Sequence, residues 1–117
     1  LIVANTTIRR EHLPARWHSY EGGLSGLPLR GIADEMLKKV SALAAGRVPL
    51  MGVGGILDGP SAAEKFRLGA DLVQIYSGLI YEGPFIVRDI LKYLEKNRAE
   101  RGLRDALNLK KAWAKQS

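Results

Sequence analysis

The stretch Val48-Pro-Leu-Met-Gly-Val-Gly-Gly-Ile56 is a short apolar run that ends in paired glycines. The apolar run predicts a buried strand, and Asp58-Gly-Pro60 predicts a helix start, because proline suits a first turn whose N–H has no intrahelical partner. Glycines between a strand and a helix let main-chain N–H groups come close to a phosphate. The stretch therefore predicts a strand, a phosphate-binding turn and a helix, in that order.

The same alternation of strands and helices extends on both sides of this stretch. Strand-like runs occupy residues 1–4 and 72–76, an irregular segment runs from 6 to about 28, and helices are predicted at about 29–45, 58–68 and from Gly83-Pro84 onward. The first helix has an apolar stripe of Ile32, Met36, Leu37, Val40, Leu43 and Ala44, and the last has one of Phe85, Val87, Ile90, Leu91 and Leu94. Strands separated by helices of this length form right-handed βαβ units, which predicts a parallel sheet.

Two α/β architectures are compatible with a parallel sheet, an open doubly wound sheet or part of a (β/α)₈ barrel. Gly52-Val-Gly-Gly55 lacks the G-x-G-x-x-G spacing of a dinucleotide-binding unit. Barrel enzymes commonly bind phosphate with the loops after their last two strands, which matches Gly54-Gly55 and Tyr76-Ser77-Gly78. We therefore predict that residues 1–117 form the last three βα units, the C-terminal portion, of a single (β/α)₈ TIM barrel domain.

A three-stranded parallel piece would leave two sheet edges unpaired and one sheet face uncovered. Leu1 also lies inside a strand-like run. We therefore expect the chain to belong to a longer polypeptide, with the N-terminal part of the same barrel completing the fold.

The composition restricts the kinds of site that the chain can build. The chain has no cysteine and two histidines, so a thiolate or histidine-built metal centre is excluded and no metal is expected. No apolar run approaches the roughly 20 residues that span a bilayer.

The formal net charge of +6 is concentrated near the C-terminus, where residues 88–117 carry nine Lys/Arg against four Asp/Glu. These charges interleave in sign, as on a solvated helix face. We interpret residues at about 101–117 as a basic helical tail and expect no nucleic-acid partner.

Taken together, the motifs of residues 1–100 resemble dihydroorotate dehydrogenase, in particular the C-terminal part of its class 2, quinone-dependent enzymes. The resemblance rests on Asn5-Thr-Thr7, Gly22-Gly-Leu-Ser-Gly-x-Pro-Leu29, Arg47-Val-Pro-Leu-Met-Gly-Val-Gly-Gly-Ile56, Gly69-Ala-Asp-Leu-Val-Gln-Ile-Tyr-Ser77 and Gly83-Pro84, in the family's order and spacing. Tyr76 favours class 2, since class 1 enzymes tend to have glycine there. Gly-Val-Gly-Gly-Ile alone would also suit other FMN-binding barrels.

The resemblance implies a substrate role for two residues and an FMN role for five. Asn5 and Thr6 match residues that hydrogen-bond the pyrimidine substrate, and an amide can both donate to and accept from such a ring. Gly26 matches a residue whose backbone contacts FMN. The residues that match the FMN phosphate site are Gly54, Gly55, Tyr76 and Ser77.

The implied reaction is oxidation of (S)-dihydroorotate to orotate in pyrimidine (UMP) biosynthesis, with hydride passing to FMN and ubiquinone or menaquinone as the final acceptor. The serine base and a lysine near the flavin are expected upstream, so no catalytic residue is assigned here and the fragment alone should be inactive. The resemblance also implies peripheral association with the bacterial cytoplasmic or mitochondrial inner membrane. The alternatives are a class 1-like or other FMN barrel oxidoreductase, and a non-catalytic phosphate- or FMN-binding partial barrel.

Overall fold

The computed structural model describes residues 1–11 and 13–99, which form a three-stranded parallel sheet with helices packed on one face. The strands are β1 (Ile2–Val3), β2 (Met51–Val53) and β3 (Leu72–Gln74), and they lie in the order β1-β2-β3. Both neighbouring pairs are parallel, with Val3 opposite Gly52 and Gly52 opposite Val73. The predicted parallel α/β arrangement is confirmed, although each strand is shorter than its apolar run.

Helices α1 (Arg30–Ala44) and α2 (Gly59–Arg67) are the crossover helices between the strands. A 3₁₀ turn (Leu27–Leu29) leads into α1. The left-handed Ala45 at φ 47° ends the helix, close to its predicted end at about residue 45. Asp58 caps α2, as the Asp-Gly-Pro signal predicted.

Two apolar clusters hold these elements together. Val3, Leu37, Leu50 and Ala70 join α1 to the sheet, and the cluster between α2 and the last helix consists of Ile56, Ala62, Ala63, Phe66, Ile86, Ile90 and Leu94. The stripe predicted for α1 is wrong in part, because Ala33 and Leu37 are buried whereas Met36 and Leu43 are exposed.

The opposite sheet face has no cover within the described residues. The register aligns Ile2, Met51 and Leu72 in one row across the three strands. Ile2 is 61% exposed and Leu72 is 55% exposed. Since parallel sheets are normally covered on both faces, this row is an apolar surface that lacks its packing partner.

The segment after β3 differs from its predicted form. A short helix, α3 (Ser77–Glu82), follows Tyr76, and the last helix, α4 (Ile86–Lys96), begins after Gly83-Pro84. The stripe of α4 is also wrong in part, because α4 packs through the i, i+4, i+8 row of Ile86, Ile90 and Leu94. The remaining members of the predicted stripe, Phe85, Val87 and Leu91, are exposed.

The predicted basic tail at about 101–117 and His12 lie outside the described residues. Among the described helices, none combines the length and apolar character that crossing a membrane would require.

Candidate functional site

A cleft of about 210 Å³ lies at the edge of the sheet where all three strands end. The residues that follow each strand line it, because the carboxyl ends of parallel strands meet at the same edge. All seven residues that the sequence assigned to the site are in this lining: Asn5, Thr6, Gly26, Gly54, Gly55, Tyr76 and Ser77. The structure thus brings together positions that are up to 72 residues apart in the chain.

The turn of Gly54 and Gly55 is pressed against the first turn of α1. Both glycines have positive φ, at 95° and 71°. A Cβ atom on Gly54 would lie 2.8 Å from Leu29 Cδ2, and one on Gly55 would lie 2.6 Å from Arg30 Cα. The glycines are therefore required because the turn lies directly on the start of α1, in addition to the predicted close approach of main-chain N–H groups to a phosphate.

Main-chain N–H groups at the cleft are free to bind a ligand. Within the described part of the chain, the N–H groups of Gly54, Gly55, Ser77 and Gly78 donate no hydrogen bond. They belong to the turns after β2 and β3, which are neighbouring strands. Two adjacent turns with free donors are suited to hold the oxygen atoms of an anion such as a phosphate.

Ser25 and Ser77 join the two sides of the cleft. Their hydroxyl oxygens lie 2.7 Å apart, and both residues are half-buried. Gly26 follows Ser25 with φ 75° and ψ −151°, a conformation that is essentially restricted to glycine. This conformation turns the chain from the long loop into α1 and keeps Ser25 beside α3.

Asn5 and Thr6 line the cleft from the segment shortly after β1. The Asn5 Oδ1 atom accepts a hydrogen bond of 2.8 Å from the Thr6 N–H, which restrains the amide side chain and leaves its NH₂ group as a donor. Thr6 lies against Gly23, where any Cβ atom would collide with the threonine side chain. An antiparallel bridge between Thr7 and Leu24 closes the intervening loop. The loop thereby positions both predicted substrate residues.

The electrostatics of the turn region are set by Asp58 and Arg30. Burial by itself would raise the pKa of Asp58, but hydrogen bonds from the Ser61 hydroxyl and N–H, with the nearby Arg30 charge, outweigh it and lower the pKa. Arg30 Nε is also 3.8 Å from Asp34 Oδ2. None of the described residues that line the cleft has a charged side chain, so its recognition groups are amides, hydroxyls and main-chain N–H groups.

Sequence reasoning missed the roles of two polar residues in the lining, Gln74 and Ser25. Gln74 ends β3 and lies in the cleft lining, and its only signal was a polar residue within an apolar strand. Ser25 was assigned to the glycine segment without its hydrogen bond to Ser77. Gly78 was predicted as part of the second turn, but its close packing against the Ile56 carbonyl, where a Cβ atom would collide, was not.

The likeness to known proteins covers nearly all of the described chain. Residues 1–97 match the family model described as dihydroorotate dehydrogenase. The chain is 47% identical over 97 residues to a dihydroorotate dehydrogenase (quinone) of Neisseria gonorrhoeae, an alignment that covers 82% of this chain and 29% of the relative. It is 45% identical over 103 residues to the protein of that name from Erythrobacter litoralis, and this alignment covers 88% of this chain and 30% of the relative.

Solved structures with a similar fold also include dihydroorotate dehydrogenases. The ligand-free DHODH of Eimeria tenella superposes with a TM-score of 0.81 at 34% identity, covering 90% of this chain and 30% of that one. The chain thus spans a little under a third of the length of the relatives that it matches. The resemblance that the motifs predicted is confirmed, and this chain belongs to the dihydroorotate dehydrogenase family.

Proposed function

We propose that this chain is the C-terminal part of an FMN-dependent dihydroorotate dehydrogenase that oxidises (S)-dihydroorotate to orotate, in UMP biosynthesis, with a quinone as the electron acceptor. The observation that carries the proposal is that one cleft at the carboxyl ends of the strands is lined by every residue that the family's motifs assign to substrate and flavin. Relatives named dihydroorotate dehydrogenase (quinone) support the choice of acceptor.

The cleft fits the phosphate end of FMN. Gly54, Gly55, Ser77 and Gly78 offer four N–H groups without partners in the described chain, and the Ser77 hydroxyl adds a further donor. In this proposal Gly26 contacts the cofactor through its backbone and Tyr76 borders the phosphate. Main-chain donors suit a phosphate dianion, because they stabilise negative charge without a buried counter-charge of their own.

When bound, FMN would accept a hydride from the substrate and pass the electrons on to the quinone. The residues of this chain would supply binding and orientation. Asn5 would direct its amide NH₂ group to the pyrimidine, with its Oδ1 atom already held by the Thr6 N–H. Thr6 would add its hydroxyl from the same turn.

We assign the catalytic base and the lysine near the flavin to the N-terminal part of the same barrel. Two observations support an N-terminal part that covers this chain. The apolar row of Ile2, Met51 and Leu72 lacks a packing partner among the described residues. The match to this chain also covers only 29% of the N. gonorrhoeae relative. We further propose ubiquinone or menaquinone as the quinone, and peripheral binding to the inner membrane as its place of contact. In this proposal the chain by itself is inactive.

The test is to express the full-length polypeptide and measure flavin content and dihydroorotate oxidation. We expect about one FMN per polypeptide and orotate formation with a soluble ubiquinone analogue. Oxidation that proceeds with fumarate or NAD but not with quinones would point to a class 1-like enzyme. FMN binding without turnover on any acceptor would indicate a non-catalytic binding module and would contradict the proposal.

A further inference from the structure

Lys65 is a buried cation that the proposed reaction does not use. Its side chain is 1% exposed, and its Nζ lies 2.6 Å from Asp34 Oδ1, whose side chain is 21% exposed. Lysine is almost never fully buried unless it is paired, because an isolated charge loses its hydration. The pair joins α2, which contains Lys65, to the first half of α1, which contains Asp34.

The Lys65 side chain passes directly behind the strand that leads into the glycine turn. Its Cβ atom lies 3.3 Å from the position that a Cβ atom on Gly52 would occupy, so a larger residue at 52 would press on the lysine. From there the side chain extends to Asp34, one helical turn after Arg30. Lys65 thus spans α2, the back of β2 and α1.

The start of α1, which the Lys65–Asp34 pair joins to α2, lies against the glycine turn of the cleft. Leu29, Arg30 and Ala33 of the first turns of α1 are the residues that a Cβ atom on Gly54 or Gly55 would strike. A shift of α1 relative to β2 would therefore move the surface on which the glycine turn lies. The Lys65–Asp34 pair is a charged contact between α1 and α2, and neither residue belongs to the cleft lining.

We propose that Lys65 and Asp34 act as a positioning pair, which holds α1 at the distance from β2 that keeps the Gly54–Gly55 N–H groups in place for the flavin phosphate. This inference rests on the proposed function for the identity of the ligand. A pair of neutral side chains could fill the same volume, but a lysine–carboxylate pair fixes one short distance. Buried ion pairs commonly add little to stability compared with apolar residues of similar size, so positioning is the more informative role.

The test compares variants of the full-length protein by their dissociation constant for FMN, measured on the apoprotein by flavin fluorescence. We expect Lys65→Met to weaken FMN binding about tenfold, as for other substitutions that act through an intervening contact. Lys65→Met is preferred to Asp34→Asn, which would leave a buried ammonium without its partner. The double variant Lys65→Met/Asp34→Asn should bind FMN as Lys65→Met does, within about twofold, because the pair acts as a unit.

Two controls separate positioning from general stability. Glu64→Gln removes an exposed ion pair of 3.4 Å with Arg67 on the same helix, and Ile90→Val weakens the cluster between α2 and α4. Both should keep the parent's FMN affinity within about twofold. If Ile90→Val weakens binding as much as Lys65→Met does, or if Lys65→Met binds like the parent, the positioning role is refuted.

A second readout does not depend on flavin. In apoprotein labelled with ¹⁵N-glycine, Lys65→Met should shift the amide resonances of Gly54 and Gly55 and leave that of Gly83 unchanged. Unchanged Gly54 and Gly55 resonances would overturn the inference.

A parent protein that binds no FMN would contradict the proposed function instead. The glycine resonances would still decide whether Lys65 and Asp34 position the turn. If Lys65→Met does not fold, Lys65→Gln replaces it, because glutamine keeps a donor for Asp34. We expect Lys65→Gln to weaken FMN binding about threefold and to shift the same two resonances. Parent-like FMN binding and resonances in this variant would refute the positioning role.

Discussion

The hydroxyl oxygens of Ser25 and Ser77 lie 2.7 Å apart, so the loop before α1 is hydrogen-bonded to the first residue of α3. Both residues line the cleft, next to free main-chain N–H groups. The contact therefore holds the Ser77 hydroxyl at the proposed phosphate site from a segment that is distant in sequence.

We expect the two serines to differ in their effect on FMN binding. Ser77→Ala removes a donor to a charged phosphate, a hydrogen bond worth about 1.5–3 kcal/mol. This variant should weaken FMN binding about tenfold or more. Ser25→Ala removes only a hydrogen bond between neutral hydroxyls, worth about 1 kcal/mol, and should weaken FMN binding about fivefold. Fluorescence titration of the apoprotein measures both. Ser41→Ala on α1 is the control, and an equal loss in all three variants would contradict the assignment.

The glycine turn should tolerate no side chain at Gly55. Gly55→Ala places a Cβ atom on a residue at φ 71° and against Arg30, so we expect a loss of about 2–4 kcal/mol in the free energy of unfolding. Gly31→Ala is the matched control, since a Cβ atom there meets nothing within 4 Å and the residue lies inside α1. Gly31→Ala should raise the free energy of unfolding by about 0.5–1 kcal/mol.

The same two variants test the cofactor site. Gly55→Ala protein should purify with little or no flavin, because a displaced turn moves its N–H groups away from the phosphate, and Gly31→Ala should purify with the parent's flavin content. Absorbance of the released flavin gives the ratio of FMN to protein. A fully loaded Gly55→Ala protein would show that the turn is not part of the phosphate site.

The position of the glycine turn was predictable because strand, paired glycines and Asp58-Gly-Pro60 are adjacent in sequence. The direction in which a Cβ atom on Gly55 would point was not, since it depends on how α1 packs against the turn. Helix α3 was missed for a related reason: its six residues contain a glycine and show no apolar periodicity. Tertiary packing, which local patterns do not encode, decided both features.

The burial of Lys65 was equally invisible in the sequence. Glu64-Lys-Phe-Arg67 has the composition of a solvated helix face, and only the contact with Asp34, 31 residues earlier, explains a lysine in the interior. The convergence of Asn5, Gly54 and Ser77 in one cleft was predictable in outline, because each follows a strand of the same parallel sheet.

Asn5 should contribute to substrate binding and not to flavin binding. Asn5→Ala removes the amide donor, and we expect KM for dihydroorotate to rise about tenfold or more at unchanged flavin content. Asn5→Asp is the informative control, because a carboxylate can still accept from the Thr6 N–H but cannot donate. Steady-state kinetics should show a raised KM for both variants. A parent-like KM in Asn5→Asp would mean that the residue only shapes the turn.

Asp58 should stabilise α2 in a manner that depends on its charge. Its Oδ1 accepts from the Ser61 N–H at 2.8 Å while its own N–H donates to Ser61 Oγ at 3.0 Å. Loss of an N-cap typically costs about 1 kcal/mol, so Asp58→Ala should lower the free energy of unfolding of the full-length protein by about that amount at pH 7. Urea unfolding measures the change, and Asp58→Asn, which keeps a capping oxygen, should lose less.

The pH dependence of the same variants gives a sharper test. Because the pKa of Asp58 is lowered from 3.8 in the folded protein, folding favours its ionised form, and that contribution to stability is complete above about pH 5. It disappears as the pH falls through the lowered folded pKa. The difference in stability between the parent and Asp58→Asn should therefore be constant from pH 7 to about pH 5 and should shrink on further acidification. A difference that persists unchanged to pH 2 would show that the carboxylate charge is not what stabilises the start of α2.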